Sequence, residues 1–382
     1  MKIIQFTDSF LPVTDGVGNV VYHYVCSMAE KGHEVYVVAP QKDYGFRGDL
    51  PFEIIDYIGF NLYKLKNYRV GFPALDSNCH SRLNMVNADI VHVHTPFTAG
   101  QAGLAYAKER KRPVIGTFHS NYYDDILQLT GIDILATVGS KYVANFYNKC
   151  DEVWAVSRKS ASILNQYGCN KKIMIMENGA DGVILDVELK EKLRNKYALG
   201  NYPVLLYMGQ MDWKKNIRCI LYAASKLKCE YRLILAGAGP HEKEILSLTK
   251  VLGISDKIRI IGFISDNNQK NALFSLADLF VFPSVYDTSG LVVKEAAAAG
   301  TPSVTVKGSG ASEGIIHGVN GFLCENSSED LARVIYEALT NPDRLRKTGD
   351  SAKRSIPVSW KRITDQVIDN YEDILKKYSS YK

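Results

Sequence analysis

The chain of 382 residues has no apolar run near the roughly 20 residues a membrane-spanning helix needs. Its N-terminus carries Gln5 and Asp8 where a secretory leader would be apolar, so none is expected there. Cysteine is scarce and scattered: seven residues, at 26, 79, 150, 169, 219, 229 and 324, with no Cys-x-x-Cys pair. That odd count and wide spacing argue against a disulfide framework or a zinc site, and for reduced thiols in a cytoplasmic protein. Charge of one sign is also lacking. The 46 Lys and Arg against 41 Asp and Glu leave +5, spread over both halves, which excludes a dedicated nucleic-acid partner. No Asp-x-Asp and no His/Cys ligand cluster occurs, so neither a metal nor a cofactor is expected.

What is present is ordinary globular composition, 46% hydrophobic and 23% charged, in a length that predicts two domains. Residues 2–6 read as a strand. A turn-rich loop follows, then a helix with apolar residues at Val17, Val20, Val21, Tyr24, Val25 and Met28. Gly32 ends it. Strands at 34–39, 90–94, 114–118, 152–156 and 172–177 alternate with helices at 100–111, 132–149 and 157–167. A polar stretch at 186–202 reads as a linker region, after which the pattern restarts. Strands at 204–208, 231–236, 257–261, 279–282 and 303–306 precede terminal helices at 328–340, 342–355 and 360–377. Apolar strands alternating with helices predict parallel sheets covered on both faces. The fold class is therefore α/β, with two Rossmann-like domains, 1–186 and 187–382, facing across a cleft.

Four constellations carry chemistry. Asp15-Gly16-Val17-Gly18 lies at a strand-to-helix junction, where a ligand can approach backbone and helix N-terminus; a tight turn needing positive φ is the alternative. The dinucleotide fingerprint Gly-x-Gly-x-x-Gly is incomplete, because Val21 stands at its last position, and this argues against a dehydrogenase. His94 and His119 each follow a strand, at the end where parallel sheets place ligand groups. Lys214 and Lys215 sit in the loop 209–216, where a lysine can neutralise a phosphate or simply be solvated. The segment 283–302 sets Asp287 and Glu295 eight residues apart, around a glycine-containing loop that leads into a helix near Leu291. The free N–H groups of that helix start suit a diphosphate.

The chain as a whole resembles a family 4 retaining glycosyltransferase of the GT-B fold. The resemblance runs from residues 6–12 and 16–18 through Lys31-Gly32-His33-Glu34-Val35, residues 89–94, Thr117-Phe118-His119, Asn178-Gly179-Ala180-Asp181 and the turn 237–240. Asp287 and Glu295 fall at the ends of the family's Glu-x7-Glu signature. The resemblance implies a nucleotide-sugar donor held mainly by the C-terminal domain. Lys215 would contact the diphosphate and Glu295 the ribose. Asp287 would hold donor-sugar hydroxyls, and amides near Ser289, Gly290 and Leu291 would support the phosphates. Gly16 would close on the diphosphate, the base would lie near Gly262, Phe263 and Ile264, and His119 would face the sugar near its reacting carbon. It also implies a C-terminal helix packing back toward the N-terminal domain.

Three positions depart from the family pattern. Asp287 replaces Glu, Ser289 replaces Phe, and Gln210 stands where a phosphate-binding Arg is usual, so Lys215 or Lys214 must supply more of the charge. The expected function is transfer of a hexose, from UDP-hexose, to a lipid or saccharide acceptor of the cell envelope. A nucleotide-sugar 2-epimerase and a catalytically weak sugar-nucleotide-binding homologue are the alternatives. Residues 61–73 mix Lys64, Lys66 and Arg69 with aromatics and leucines, a pattern suited to weak, reversible contact at the inner face of a membrane or to an ordinary solvated strand. Tyr122-Tyr123-Asp124-Asp125, just after His119, is an acceptor-side candidate.

Overall fold

A computed structural model describes residues 1–11, 15–41, 49–62 and 65–380. It divides into two units: Met1–Asn178 with the terminal helix Trp360–Ser380, and Gly179–Ser359. Both the segment 179–186 and the terminal helix thus lie across the division from the 186/187 boundary expected of the sequence.

Among the described residues the first unit has eight strands: β1 (Lys2–Phe6), β2 (Glu34–Gln41), β3 (Glu53–Leu62), β4 (Leu65–Gly71), β5 (Ile90–Val93), β6 (Val114–Phe118), β7 (Glu152–Ala155) and β8 (Ile173–Ile175). Their order is β4-β3-β2-β1-β5-β6-β7-β8. Every pairing is parallel except the β3–β4 hairpin. β1 and β5 are hydrogen-bonded neighbours although the chain leaves β1 toward β2. This reversal puts the loops after β1 and β5 beside each other at the carboxyl edge, where open α/β sheets bind ligands. β1, β5 and β6 bury every residue but Lys2, the pattern of a sheet covered on both faces.

The terminal helix belongs to this unit because it is amphipathic. Trp360, Ile363, Thr364, Val367, Ile368, Tyr371 and Ile374 form one buried stripe at helical spacing. Trp360 stacks on His23 at 4.5 Å, Lys31 pairs with Asp365 at 2.5 Å, and Tyr371 lies against Trp154 at 5.8 Å.

The second unit has six strands: β9 (Val204–Met208), β10 (Arg232–Ala236), β11 (Ile258–Gly262), β12 (Leu279–Phe282), β13 (Ser303–Val306) and β14 (Phe322–Cys324). All are parallel, in the order β11-β10-β9-β12-β13-β14. The reversal here lies between β9 and β12. The loops that follow these two strands, 209–216 and 283–290, are therefore neighbours.

The polar stretch read as a linker is instead a helix, Val187–Lys196, capped by Asp186, whose carboxylate accepts from Leu189 N at 2.8 Å. Leu193 anchors it in the second core. One buried leucine among charged residues gives too little periodicity to read as a helix. The hairpin of β3 and β4, the short β14 and the helix Tyr122–Thr130 are also additions to the sequence reading. Of the basic segment 61–73, Tyr63 and Lys64 lie outside the described residues, as do the side chains of residues 61, 62 and 65–68, Lys66 among them; Arg69 donates to the Gln41 carbonyl at 2.8 Å. Among the described residues no helix is long and apolar enough to cross a membrane.

Candidate active site

In the second unit, the loop after β9 is fixed from below. Gly209 and Met211 donate to the carbonyls of Ala236 and Ala238, both at 3.0 Å, and His241 donates back to Met211 O at 3.1 Å. This contact explains the glycine of the 237–240 turn. Gly237 has φ +142°, and a Cβ there would lie 1.8 Å from Gly209 O. Asp212 accepts from Lys214 N at 3.1 Å and starts the turn Trp213–Lys215. Asn216, in the left-handed conformation at φ 61°, then sends its side-chain amide to Pro283 O at 3.0 Å. The two loops are thereby tied together.

Lys215 Nζ donates to Asp287 Oδ1 at 2.6 Å, with both side chains mostly buried. Tyr286 lies beneath the two cations, its ring centroid 4.6 Å from Lys214 Nζ and 4.9 Å from Lys215 Nζ. The other carboxylate oxygen, Asp287 Oδ2, is buried and has no hydrogen-bond partner among the described residues. A buried unpaired carboxylate oxygen is costly, so this atom is the one most in need of a donor. Gln210 is exposed, and its carbonyl oxygen accepts from Tyr207 at 2.7 Å.

The helix Leu291–Ala298 begins immediately beyond. Gly290 caps it at φ 55°, and a Cβ there would meet Ala311 Cα at 2.6 Å, so only glycine fits. Ser289 and Leu291 flank it, half-buried, and the first amides of such a helix have no intrahelical acceptor. One turn in, Glu295 Oε1 accepts from Lys270 Nζ at 2.9 Å. Lys270 stands on the helix Asn267–Leu276 and went unnoticed in the sequence. Its partner is 25 residues away, and no motif links the two. Gly262 accepts from Gly237 N at 2.7 Å. Phe263 is 60% exposed beside it, and Ile264 packs on the core.

In the first unit, Asp8 organises the loop after β1. Its Oδ1 accepts from Tyr57 Oη at 3.2 Å, Thr98 Oγ1 at 2.8 Å and Ala99 N at 3.0 Å; its Oδ2 accepts from Thr95 Oγ1 at 2.5 Å. Asp15 caps the helix Gly16–Glu30 by accepting from Gly18 N at 2.7 Å, a contact worth about 1 kcal/mol. Gly16 does not adopt positive φ, and a Cβ there would meet nothing within 4 Å. At Gly16 the tight-turn reading finds no support among the described residues: neither its backbone conformation nor a neighbour there requires glycine.

Three buried histidines gather at the carboxyl ends of β5 and β6. His92 bonds Tyr371 Oη at 2.5 Å and Thr117 Oγ1 at 2.7 Å. His94 bonds Gln5 Oε1 at 2.6 Å and His119 Nε2 at 3.0 Å. The rings of His92 and His94 lie 4.1 Å apart. Burial, which penalises the imidazolium, pushes His92 and His94 well below the usual histidine range and His119 down to about 3. All three are neutral at physiological pH. A neutral His119 can hydrogen-bond but brings no positive charge. Tyr122 is buried just beyond it, its ring 5.7 Å from Phe118. Sequence reasoning found His94 and His119 from their strand ends but missed His92 and Gln5, which look like core positions of apolar strands.

Residues 14–182 match the family Glycosyltransferase Family 4, and residues 190–355 match Glycosyl transferases group 1. The chain is 25% identical to a GDP-mannose-dependent alpha-mannosyltransferase of Corynebacterium glutamicum, covering 98% of this chain and 89% of that one. It is 28% identical to an alpha-monoglucosyldiacylglycerol synthase of Streptococcus pneumoniae, covering 91% and 80%. Among solved structures it resembles Anabaena HepE in complex with UDP and glucose, with a TM-score of 0.77 at 20% identity, covering 98% of this chain and 100% of that one. With matches to both halves and the paired parallel sheets, the chain belongs to the family 4 glycosyltransferases of the GT-B fold.

Proposed function

We propose that this glycosyltransferase is a retaining, metal-independent hexosyltransferase, with UDP-hexose as donor and a cell-envelope acceptor. That acceptor is a glycolipid precursor such as diacylglycerol, or a growing surface polysaccharide. The observation that carries the donor half is the Lys215–Asp287 pair beside the Gly290 helix start. A cation, a row of amides and a carboxylate with an unpartnered oxygen meet at one switch point of the second sheet. Lys215 and the amides of Ser289, Gly290 and Leu291 serve the diphosphate. Asp287 Oδ2 accepts from sugar hydroxyls, Glu295 accepts from the ribose diol, and Phe263 offers a face to the base near Gly262 and Ile264. Gly16 and His119 serve the diphosphate and the sugar from the first unit.

Metal independence rests on the absence of Asp-x-Asp in the sequence and on a lysine placed to neutralise phosphate. In the reaction, the bond from the anomeric carbon to the β-phosphate oxygen breaks. The acceptor oxygen bonds to the same face of that carbon, and its proton passes to the departing phosphate. For the acceptor, support comes from the S. pneumoniae relative, whose name contains diacylglycerol, and from the exposed Phe60, Phe72 and Leu75 on and beside the β3–β4 hairpin. Weak attachment of that hairpin to the inner face of a membrane fits both. The test is calorimetry with UDP- and GDP-hexoses, followed by assay without acceptor. Slow release of UDP with free hexose supports the transferase. A change of sugar identity would indicate the epimerase, and binding without turnover the weak homologue.

A further inference from the structure

The helices Tyr122–Thr130 and Asp133–Tyr147 of the first unit form a hairpin that turns at Gly131, where φ is 70°. They pack so closely that a Cβ at Gly139 would lie 2.3 Å from Ile126 Cδ1. The longer helix turns Ala136, Ser140, Val143, Ala144 and Tyr147 inward. Its open face carries Ile134, Val138 and Tyr142, one turn apart, with Leu135 alongside. Ile134 is 68% exposed and Val138 60%, and around the turn Leu129 and Ile132 extend the apolar surface, each 48% exposed. Single exposed apolar residues are ordinary; a group of six on one hairpin is not. At about 200 Å² for a fully exposed large apolar residue, the six leave open on the order of 600 Å². That is the upper end of what a monomer shows, and most of the roughly 800 Å² each partner brings to a standard protein interface.

The charges around this face select its occupant. Residues 113–140 contain no Lys or Arg, and they contain Asp124, Asp125 and Asp133. An anionic lipid surface attracts Lys and Arg, so this stretch offers it nothing. Asp133 and Lys141, both exposed, stand instead at the two ends of the apolar stripe. Asp133 Oδ1 accepts from Tyr123 Oη, and the Tyr142 hydroxyl accepts from Gln101 Nε2 at 2.8 Å, which holds its half-exposed ring in place. The stripe is self-complementary. In an antiparallel contact with a two-fold axis at Val138, Val138 meets its own copy and Ile134 meets Tyr142 of the second copy. Asp133 then comes within reach of Lys141 of the second copy, so both ends are charge-matched. We propose that this hairpin is a dimerisation surface, and that its occupant is a second copy of the same chain, joined through the helices Asp133–Tyr147 across that axis. The contact lies wholly within the first unit and is independent of which sugar nucleotide the enzyme uses.

The test is sedimentation equilibrium of the full chain across micromolar concentrations. A reversible dimer is expected, and a monomer throughout overturns the proposal. Val138→Glu sets two carboxylates face to face on the axis. Its dimer dissociation constant should rise by about 100-fold or more, as like charges across an interface demand, with the circular dichroism spectrum unchanged. A dimer that survives Val138→Glu lies on another face and overturns the proposal. Single cysteines read the register. Val138→Cys should form a covalent dimer on mild oxidation and Lys141→Cys should not, because only position 138 faces its own copy. All seven native cysteines are free, so the unsubstituted chain is the control. Any other pattern of crosslinks overturns the antiparallel arrangement. Vesicles of neutral or anionic lipid that bind the chain and release it on Val138→Glu would assign this face to a membrane and overturn the dimer.

Discussion

Lys215 and Asp287 share a proton-bridged contact of 2.6 Å between the loops that follow β9 and β12, 72 residues apart in sequence. Each side chain has a separate donor contact in the proposed reading, yet each is also the other's counter-ion. In that reading a donor diphosphate competes with Asp287 for the lysine. On that reading, the aspartate tempers phosphate affinity until the sugar engages it.

Substituting either partner should have opposite effects on UDP. Lys215→Ala removes the cation and leaves the Asp287 carboxylate uncompensated, so UDP affinity should fall by about 1.5–3 kcal/mol, the scale of a charged hydrogen bond. Asp287→Asn frees the lysine, so UDP should bind as tightly or more tightly while turnover of UDP-hexose falls. Calorimetry with UDP alone separates the two, and a loss of UDP affinity in Asp287→Asn would refute the counter-ion role.

Gln210→Arg puts a guanidinium at an exposed position of the loop that carries Lys215. UDP affinity should rise or stay level, with a steeper dependence on ionic strength. Titration at two salt concentrations checks it; weaker binding would place the diphosphate away from Gln210.

Glu295 and Lys270 form the second pair, at 2.9 Å. Glu295→Ala should lower affinity for UDP by about 1.5–3 kcal/mol, and should affect free diphosphate far less, because only the nucleoside part is lost. Lys270→Met should cost less, through a carboxylate left without its cation. A double-mutant cycle on UDP binding should show coupling between the two positions; strict additivity would remove Lys270 from the site.

The buried histidines predict early loss of stability in acid. His92, His94 and His119 bind protons less readily in the folded chain than their usual value near 6.5. The unfolded chain therefore takes up more protons as pH falls below that value, and stability drops with it, at about 1.4 kcal/mol per pH unit for each histidine left neutral in the fold. The loss begins near pH 6.5 and, for His119, levels off only near pH 3. Denaturant midpoints from pH 7.5 to 5 should fall accordingly, and less steeply in His94→Gln. A flat profile would contradict the burial of these rings as neutral groups.

The parallel strands and the glycine-bearing loops were legible because buried β-type runs and positive-φ turns leave one-residue-type signatures, as at 204–208 and Gly290. Asp287, Glu295 and Lys215 stood out because they share short segments with those loops. What escaped depends on partners distant in sequence. Lys270 meets Glu295 across two helices, Gln5 and His92 look like strand core, and Tyr371 reaches His92 from a helix 279 residues further on. The helix 187–196 was hidden by its charge. It buries only Leu193 and leaves little periodicity to detect.

The most direct test of the donor reading is release of UDP from UDP-hexose, in excess EDTA, with diacylglycerol vesicles or oligosaccharide acceptors present. The account predicts UDP release coupled to an α-linked hexosyl product, abolished or severely reduced in Glu295→Ala and Lys215→Ala. Strict dependence on added Mn²⁺ or Mg²⁺, a β-linked product, or full activity in both variants would contradict it.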